Sequence, residues 1–258
     1  MKMRKSFWVV MFGLLLASAT VYATPSTTYW TPAVMDIQPY EVLHTGVDNY
    51  FTVFRTAKGG ASAFPTDAGL TMGVLPFKKL QMEVGIDLLE PFDNPVFFNA
   101  KIGTPEDALF KYCPGIDVGI FDVGTKKNQT DMDIIYAVLG KTIPHVGRIH
   151  VGPYFGNPSS KVFLDDNPDA QSRGIMVGFD HSFLPTKDKE GNDYSRLVVA
   201  GDYASGKNFI GGGGGGVYWY FTKDISLLTG PVWFNDVKIN GDWKWTIQLD
   251  INTDLHKK

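Results

Sequence analysis

The feature that most limits the fold of this chain is a two-residue rhythm. From residue 42 to 252, apolar and polar residues alternate in stretches cut by Gly, Pro, Asn and Asp. Successive side chains of a strand point to opposite faces, so alternation of this kind marks strands with one apolar and one polar side. The last stretch sets Trp243, Trp245, Ile247, Leu249 and Ile251 against Lys244, Thr246, Gln248, Asp250 and Asn252. The stretch 80–89 sets Met82, Val84, Ile86 and Leu88 against Gln81, Glu83, Gly85 and Asp87. The stretch 147–156 sets Ile149, Val151 and Phe155 against His150, Gly152 and Tyr154. The pattern predicts about twelve strands, at 42–54, 67–75, 80–89, 96–103, 115–124, 132–141, 147–156, 173–183, 195–204, 210–221, 225–234 and 243–252. No stretch carries a 3.6-residue period with caps; Pro105 to Tyr112 has room for one helical turn.

Ahead of the strands, Lys2, Arg4 and Lys5 form a positive region, Phe7 to Leu16 is apolar, and Val21-Tyr22-Ala23 has the small or compact spacing of a cleavage site. That layout predicts a signal peptide over 1–23, cleaved before Thr24. The apolar run is shorter than the roughly 20 residues a spanning helix needs, and no Cys lies nearby to accept lipid. Cleavage would remove three basic residues and no acidic ones, taking the net charge from −3 to −6. An acidic balance argues against nucleic acid as a partner. The lone Cys113 allows no internal disulfide and excludes a small domain stapled by bridges. Residues 24–41, with Pro25, Pro32 and Pro39, read as an extended leader, 42–252 as one β-domain, and 253–258 as a short C-terminal tail.

Alternation fits two architectures. In a soluble sandwich the polar face meets water; in a membrane barrel the apolar face meets lipid and the polar face lines the lumen. Beyond residue 23 no apolar run is long enough for a spanning helix, so a membrane form of this chain has to be a closed barrel. Four observations favour the barrel. The polar faces are rich in glycine (Gly85, Gly119, Gly152, Gly178), which suits a crowded interior. Aromatics gather near strand ends, at Tyr218 to Phe221, Trp233-Phe234, Trp243 and Trp245, as in an interfacial girdle. Twelve is an even strand count, as single-chain bacterial barrels have. Connections alternate short (Pro76 to Lys79, Thr142 to Val146, Thr222 to Asp224) and long (Thr56 to Thr66, Asn157 to Ser172, Asn235 to Asp242). The expected fold is all-β: a closed antiparallel transmembrane β-barrel of about 12 strands.

Over residues 42–252, through strands such as Asp67 to Leu75 and its hairpin partner Gln81 to Leu88, the chain resembles the small porin-like outer-membrane β-barrel proteins of Gram-negative bacteria. The resemblance is to a class and carries over no functional residues. It departs from the usual pattern at the end: such barrels finish on an aromatic residue, whereas this chain continues through Thr253 to Lys258. The resemblance implies the bacterial outer membrane as location, outer-membrane lipid as surroundings, and small solutes or ions as partners if the lumen is open.

Extending the alternation places Glu83, Asp87, Lys101, Asp117, Asp133, Lys141, His150, Asp180, Arg196, Asp202, Lys244 and Asp250 on the polar, lumen-lining face. Acidic groups outnumber basic ones there, which predicts a narrow channel or structural barrel with weak cation preference. Two alternatives stand beside it: an outer-membrane lipid hydrolase, and a soluble periplasmic β-protein binding a small ligand. The triplet Asp180-His181-Ser182 is the sharpest catalytic candidate, but adjacent strand residues face opposite ways, so catalysis is not expected. His145 and His150 lack further ligands at metal spacing, and Asp165 to Asp169 lacks the Gly and distal Glu of a calcium loop. Gly211 to Gly216 reads as a place where the wall bends or a plug approaches closely. No cofactor is expected, Cys113 has no chemical role in this reading, and the sequence does not specify an oligomeric state.

Overall fold

The computed structural model describes residues 27–53, 65–90, 92–165 and 167–256. The expected signal peptide lies outside them. The described chain forms a closed antiparallel barrel of twelve strands in sequential order. They are β1 (Val42–Thr52), β2 (Thr66–Gly73), β3 (Gln81–Glu90), β4 (Val96–Thr104), β5 (Gly115–Val123), β6 (Asp131–Ile143), β7 (Gly147–Phe155), β8 (Arg173–Lys187), β9 (Asp193–Ala204), β10 (Gly212–Thr222), β11 (Ile225–Phe234) and β12 (Lys244–Asp254). The seam between β1 and β12 is paired from Val42↔Asp254 to Thr52↔Lys244, which removes the exposed edges an open sheet would leave. β12 runs past residue 252, so the first residues of the expected tail belong to the wall. Bulges interrupt the ladders between Phe98 and Ala100, Phe121 and Val123, and Tyr220 and Thr222.

The alternation sorts as an inverted protein. Val84, Ile86, Leu88, Ile149, Val151, Trp245, Ile247 and Leu249 are exposed on the outside, while Met82 and Trp243 are half-exposed. Inside, Lys101, Asp117, His150, Lys244, Thr246 and Gln248 are buried. Among the described residues no helix is long and apolar enough to cross a membrane.

The two ends differ. At one, residues 144–146 and 223–224 are tight turns, whereas 105–114 stays extended or turned and does not take the helical turn it has room for. At the other, residues 156–172 and 235–243 carry two one-turn helices, α1 (Lys161–Leu164) and α2 (Val237–Asn240). The Ser160 hydroxyl accepts from Phe163 N–H at 3.2 Å and starts α1; Asp165, left-handed with φ 52°, ends it. This cap turns Phe163 into the barrel, where it is fully buried with Met132, Tyr154 and Phe209. Phe209 N–H donates to Phe163 O at 2.9 Å, and Asn240 Nδ2 donates to Phe209 O at 2.7 Å. The longer connections therefore roof part of the lumen.

Candidate functional site

The candidate site is the lumen, and its occupant is the chain itself. Residues 27–41 run through the barrel as an extended strap. Trp30 donates its indole N–H to Ile210 O at 3.0 Å near the long-loop end. Tyr40 pairs with Gly73 at the short-turn end, where β1 begins. Pro32 and Pro39 have restricted φ and no N–H to satisfy, which suits an extended segment with no ladder. Thr28, Tyr29, Thr31, Ala33 and Val34 are almost fully buried.

A buried backbone without a ladder needs other partners, and the wall supplies them. Asp202 Oδ2 accepts the consecutive N–H groups of Tyr29, Trp30 and Thr31 at 2.9, 2.9 and 2.8 Å. Tyr218 donates its hydroxyl to Thr28 O at 2.7 Å. Lys101 Nζ donates to Asp36 O at 2.9 Å and lies 3.6 Å from Glu83 Oε1. Glu83 Oε2 in turn accepts Gln38 N–H at 2.7 Å. Arg148 bonds both Asp36 oxygens, at 2.6 and 2.7 Å, and its Nε reaches both Asp180 oxygens, at 2.9 and 3.0 Å. His150 Nε2 completes this cluster 3.1 Å from Asp180 Oδ2.

Glycines in the wall make room for the strap. A Cβ on Gly214 would stand 2.1 Å from the Tyr29 ring, so the run Gly212 to Gly216, the start of β10, lets the strap approach. The three atoms nearest to a Cβ on Gly178 would all belong to the strap: Ala33 O at 2.3 Å, Thr28 Oγ1 at 3.0 Å and the Ala33 carbonyl carbon at 3.4 Å. Gly178→Val should therefore push the strap off the wall. An overpacking cost of about 1–3 kcal/mol is expected, read by urea titration in lipid vesicles. No change would mean the strap does not press on this wall.

Of the predicted lumen-lining set, Glu83, Asp87, Lys101, Asp117, His150, Asp180, Asp202, Lys244 and Asp250 are buried inside. Three residues depart from that assignment. Lys141 lies level with outward Ile149 and turns to Glu106 at 2.6 Å. Partial burial raises the Glu106 carboxyl, but hydrogen bonds from Lys141 and Thr142 outweigh it and hold the group below its usual value. Arg196 is exposed near the β8–β9 hairpin. Asp133 is half-buried with φ 47° at the irregular start of β6, two residues before outward Ile135. Asp133 and Lys141 share the outward parity of Ile135 and Leu139, because β6 turns apolar Ile134, Tyr136 and Val138 inward; Arg196 shares the inward parity of Val198 and Ala200, and that parity ends near the hairpin. The triplet Asp180-His181-Ser182 splits: Asp180 points inward to Arg148 and His150, while the His181 ring packs edge-on to Phe183 with centroids 4.5 Å apart. His145 sits in the β6–β7 turn with φ 64°.

Sequence reasoning missed Arg148, Asp48, Asp67 and Asp122. Asp48 and Asp67 share the parity of buried His44 and Thr71 in their strands, a signal present in the sequence. Asp122 does not share the parity of Asp117; a bulge and a φ of 52° turn it inward. Its N–H donates to Asn99 Oδ1 at 2.9 Å, and Asn99 Nδ2 donates to Asp87. Asp48, Asp67 and Asp122 line a cavity of about 50 Å³ near the long-loop end, together with Trp30, Tyr50 and Phe121. Among the described residues no three acidic, His or Cys side chains converge as a metal site would need.

No family model matches the chain, and no curated protein matches it. Solved structures similar to it include an outer membrane channel of Pseudomonas putida F1, with 9% identity, TM-score 0.47, and 90% of this chain and 100% of that one covered. Outer membrane phospholipase A of Escherichia coli matches with 12% identity and TM-score 0.45, over 84% of this chain and 94% of that one. A Rh. blastica porin mutant matches with 6% identity and TM-score 0.35, over 82% of this chain and 98% of that one.

Proposed function

We propose that this chain is a porin-like barrel of the bacterial outer membrane, with a narrow lumen that its own strap largely fills and that weakly prefers cations. The observation that carries the reading is the inversion of polarity. Apolar side chains such as Ile247 and Leu249 are exposed around the outside, and charged ones such as Lys101 and Asp117 are buried within. That arrangement suits a barrel bathed in lipid and is unfavourable for one bathed in water, where so broad an apolar surface would drive association. Twelve strands lie between the eight that side chains can fill and the sixteen of open porins, which fits a lumen narrow enough for one chain segment to occupy. The corrected inner wall supports the sign of the preference. Lys141 and Arg196 leave it, Arg148 is committed to Asp36 and Asp180, and Asp48, Asp67 and Asp122 join it.

Planar-bilayer recording of the refolded protein under a salt gradient tests the reading. The expected result is a small conductance with a reversal potential toward cation selectivity, rising several-fold in Gly178→Val. Anion selectivity would reject the assignment of the inner charges. Silence in both forms would leave a purely structural barrel, and recovery of the protein in the soluble periplasmic fraction without detergent would reject the membrane reading.

A further inference from the structure

We propose that the cavity at the long-loop end is a binding site for a small organic ammonium ion. This deepens the channel reading and rests on it, since the site opens off the same lumen. Asp48 of β1 and Asp67 of β2 lie directly opposite each other in the ladder, both lining the cavity. Like charges at opposed positions destabilise a strand pair, so this pair needs a compensating group. Among the described residues neither carboxylate has a hydrogen-bond or ion partner, and Asp67 Oδ1 is sealed from solvent.

Asp122, at the end of β5, supplies an independent observation. It is only 4% exposed, it lines the same cavity, and its carboxylate has no partner among the described residues. A buried carboxylate that is neither hydrogen-bonded nor paired is costly unless it takes up a proton, and a cation entering this cavity would relieve all three at once. Elsewhere in the lumen several acids are served, Asp180 by Arg148, Glu83 by Lys101 and Asp202 by strap amides, although both Asp117 oxygens stay without a hydrogen-bond partner among the described residues. The lining of the cavity offers aromatic rings and neither lysine nor arginine; Lys244, buried at the same end of β12, lies outside that lining.

The kind of cation follows from the lining. The acidic groups do not converge on one point as a metal ion would need. Trp30, Tyr50 and Phe121 complete the cavity wall, and Trp30 and Tyr50 are fixed edge to face with centroids 5.5 Å apart. Aromatic rings beside carboxylates recognise alkylated ammonium groups, whose charge is spread over methyls that can lie on ring faces.

Calorimetric titration of the full mature chain, refolded in maltoside micelles at low salt, tests this with choline as probe. Choline should bind saturably. Its uncharged isostere 3,3-dimethylbutan-1-ol should bind at least tenfold more weakly, and sodium at equal ionic strength should not compete at similar concentration. Asp48→Asn/Asp67→Asn and, separately, Asp122→Asn should each weaken choline binding about tenfold or more. Both variants remove repulsion, so they should refold at least as well as the parent, which a urea titration verifies. Glycerophosphocholine distinguishes the source: binding equal to choline assigns the site to lipid headgroups, and weaker binding assigns it to free ammonium solutes. Equal affinity for the isostere, or unchanged choline affinity in both variants, overturns the proposal. Because calorimetry needs no current, a silent bilayer leaves this result standing, and absent binding leaves the selectivity measurement standing.

Discussion

Arg148→Met should destabilise the barrel by about 3–5 kcal/mol, the range for removing one partner of a buried charge cluster. The side chain is largely enclosed and serves two carboxylates on two elements, Asp36 of the strap and Asp180 of β8. Methionine keeps much of the volume and removes every donor. The Asp36 carboxylate then loses its cation, with Lys101 reaching only the Asp36 backbone carbonyl, and among the described residues Asp180 keeps His150 alone. The loss is expected to come from the stranded acids more than from the missing guanidinium. Arg148→Met/Asp36→Asn/Asp180→Asn should therefore recover most of the stability, since neutral replacement of a whole buried ionic cluster is often tolerated. Urea titrations followed by tryptophan emission in lipid vesicles read both variants. A cost below about 1 kcal/mol for Arg148→Met would place it with exposed surface pairs and remove it from the strap's anchorage.

Ile247→Arg should cost about 2–4 kcal/mol in the same assay, the depth-dependent penalty for a charge on the lipid face near the bilayer midplane. Ile247 is exposed on β12 between Trp245 and Leu249, with Ile251 following toward the short-turn end. Arginine at Ile251, nearer the rim, should cost about 0–1 kcal/mol. The gradient between the two positions is the informative quantity. A soluble barrel would show little penalty at either, because both side chains would already meet water.

The strands were legible because the outward face imposes a strict rhythm. β11 begins and ends where the alternation of Ile225 to Phe234 predicts, and β3 needs only a one-residue shift. Legibility fails where the rhythm is broken by backbone geometry. Asp122 turns inward only through its bulge, and no count of parity from Asp117 could find it. It also fails where contacts are long-range. Nothing local in Tyr29-Trp30-Thr31 announces that one carboxylate, Asp202, will gather all three of their N–H groups from the far part of the chain. The expected extended leader hid its role for the same reason: its period is irregular because it has a wall on every side. The glycines gave the one sequence hint, since Gly178 and the Gly211 to Gly216 run mark where that wall had to be thin.

The strap also bears on how the barrel comes apart. Gln38 touches β3 through Glu83 and β12 through Asn252, and Glu41, where the strap becomes β1, accepts from Leu255 N–H at 3.0 Å and meets His256 Nε2 at 2.9 Å. The junction of first and last strands is therefore fastened from within as well as by its own ladder. Unzipping there has to break the ladder and withdraw a buried segment in the same event, so the barrier to opening exceeds what the seam alone would set. A barrel fastened in this way is expected to persist through a slow unfolding rate as much as through its equilibrium stability.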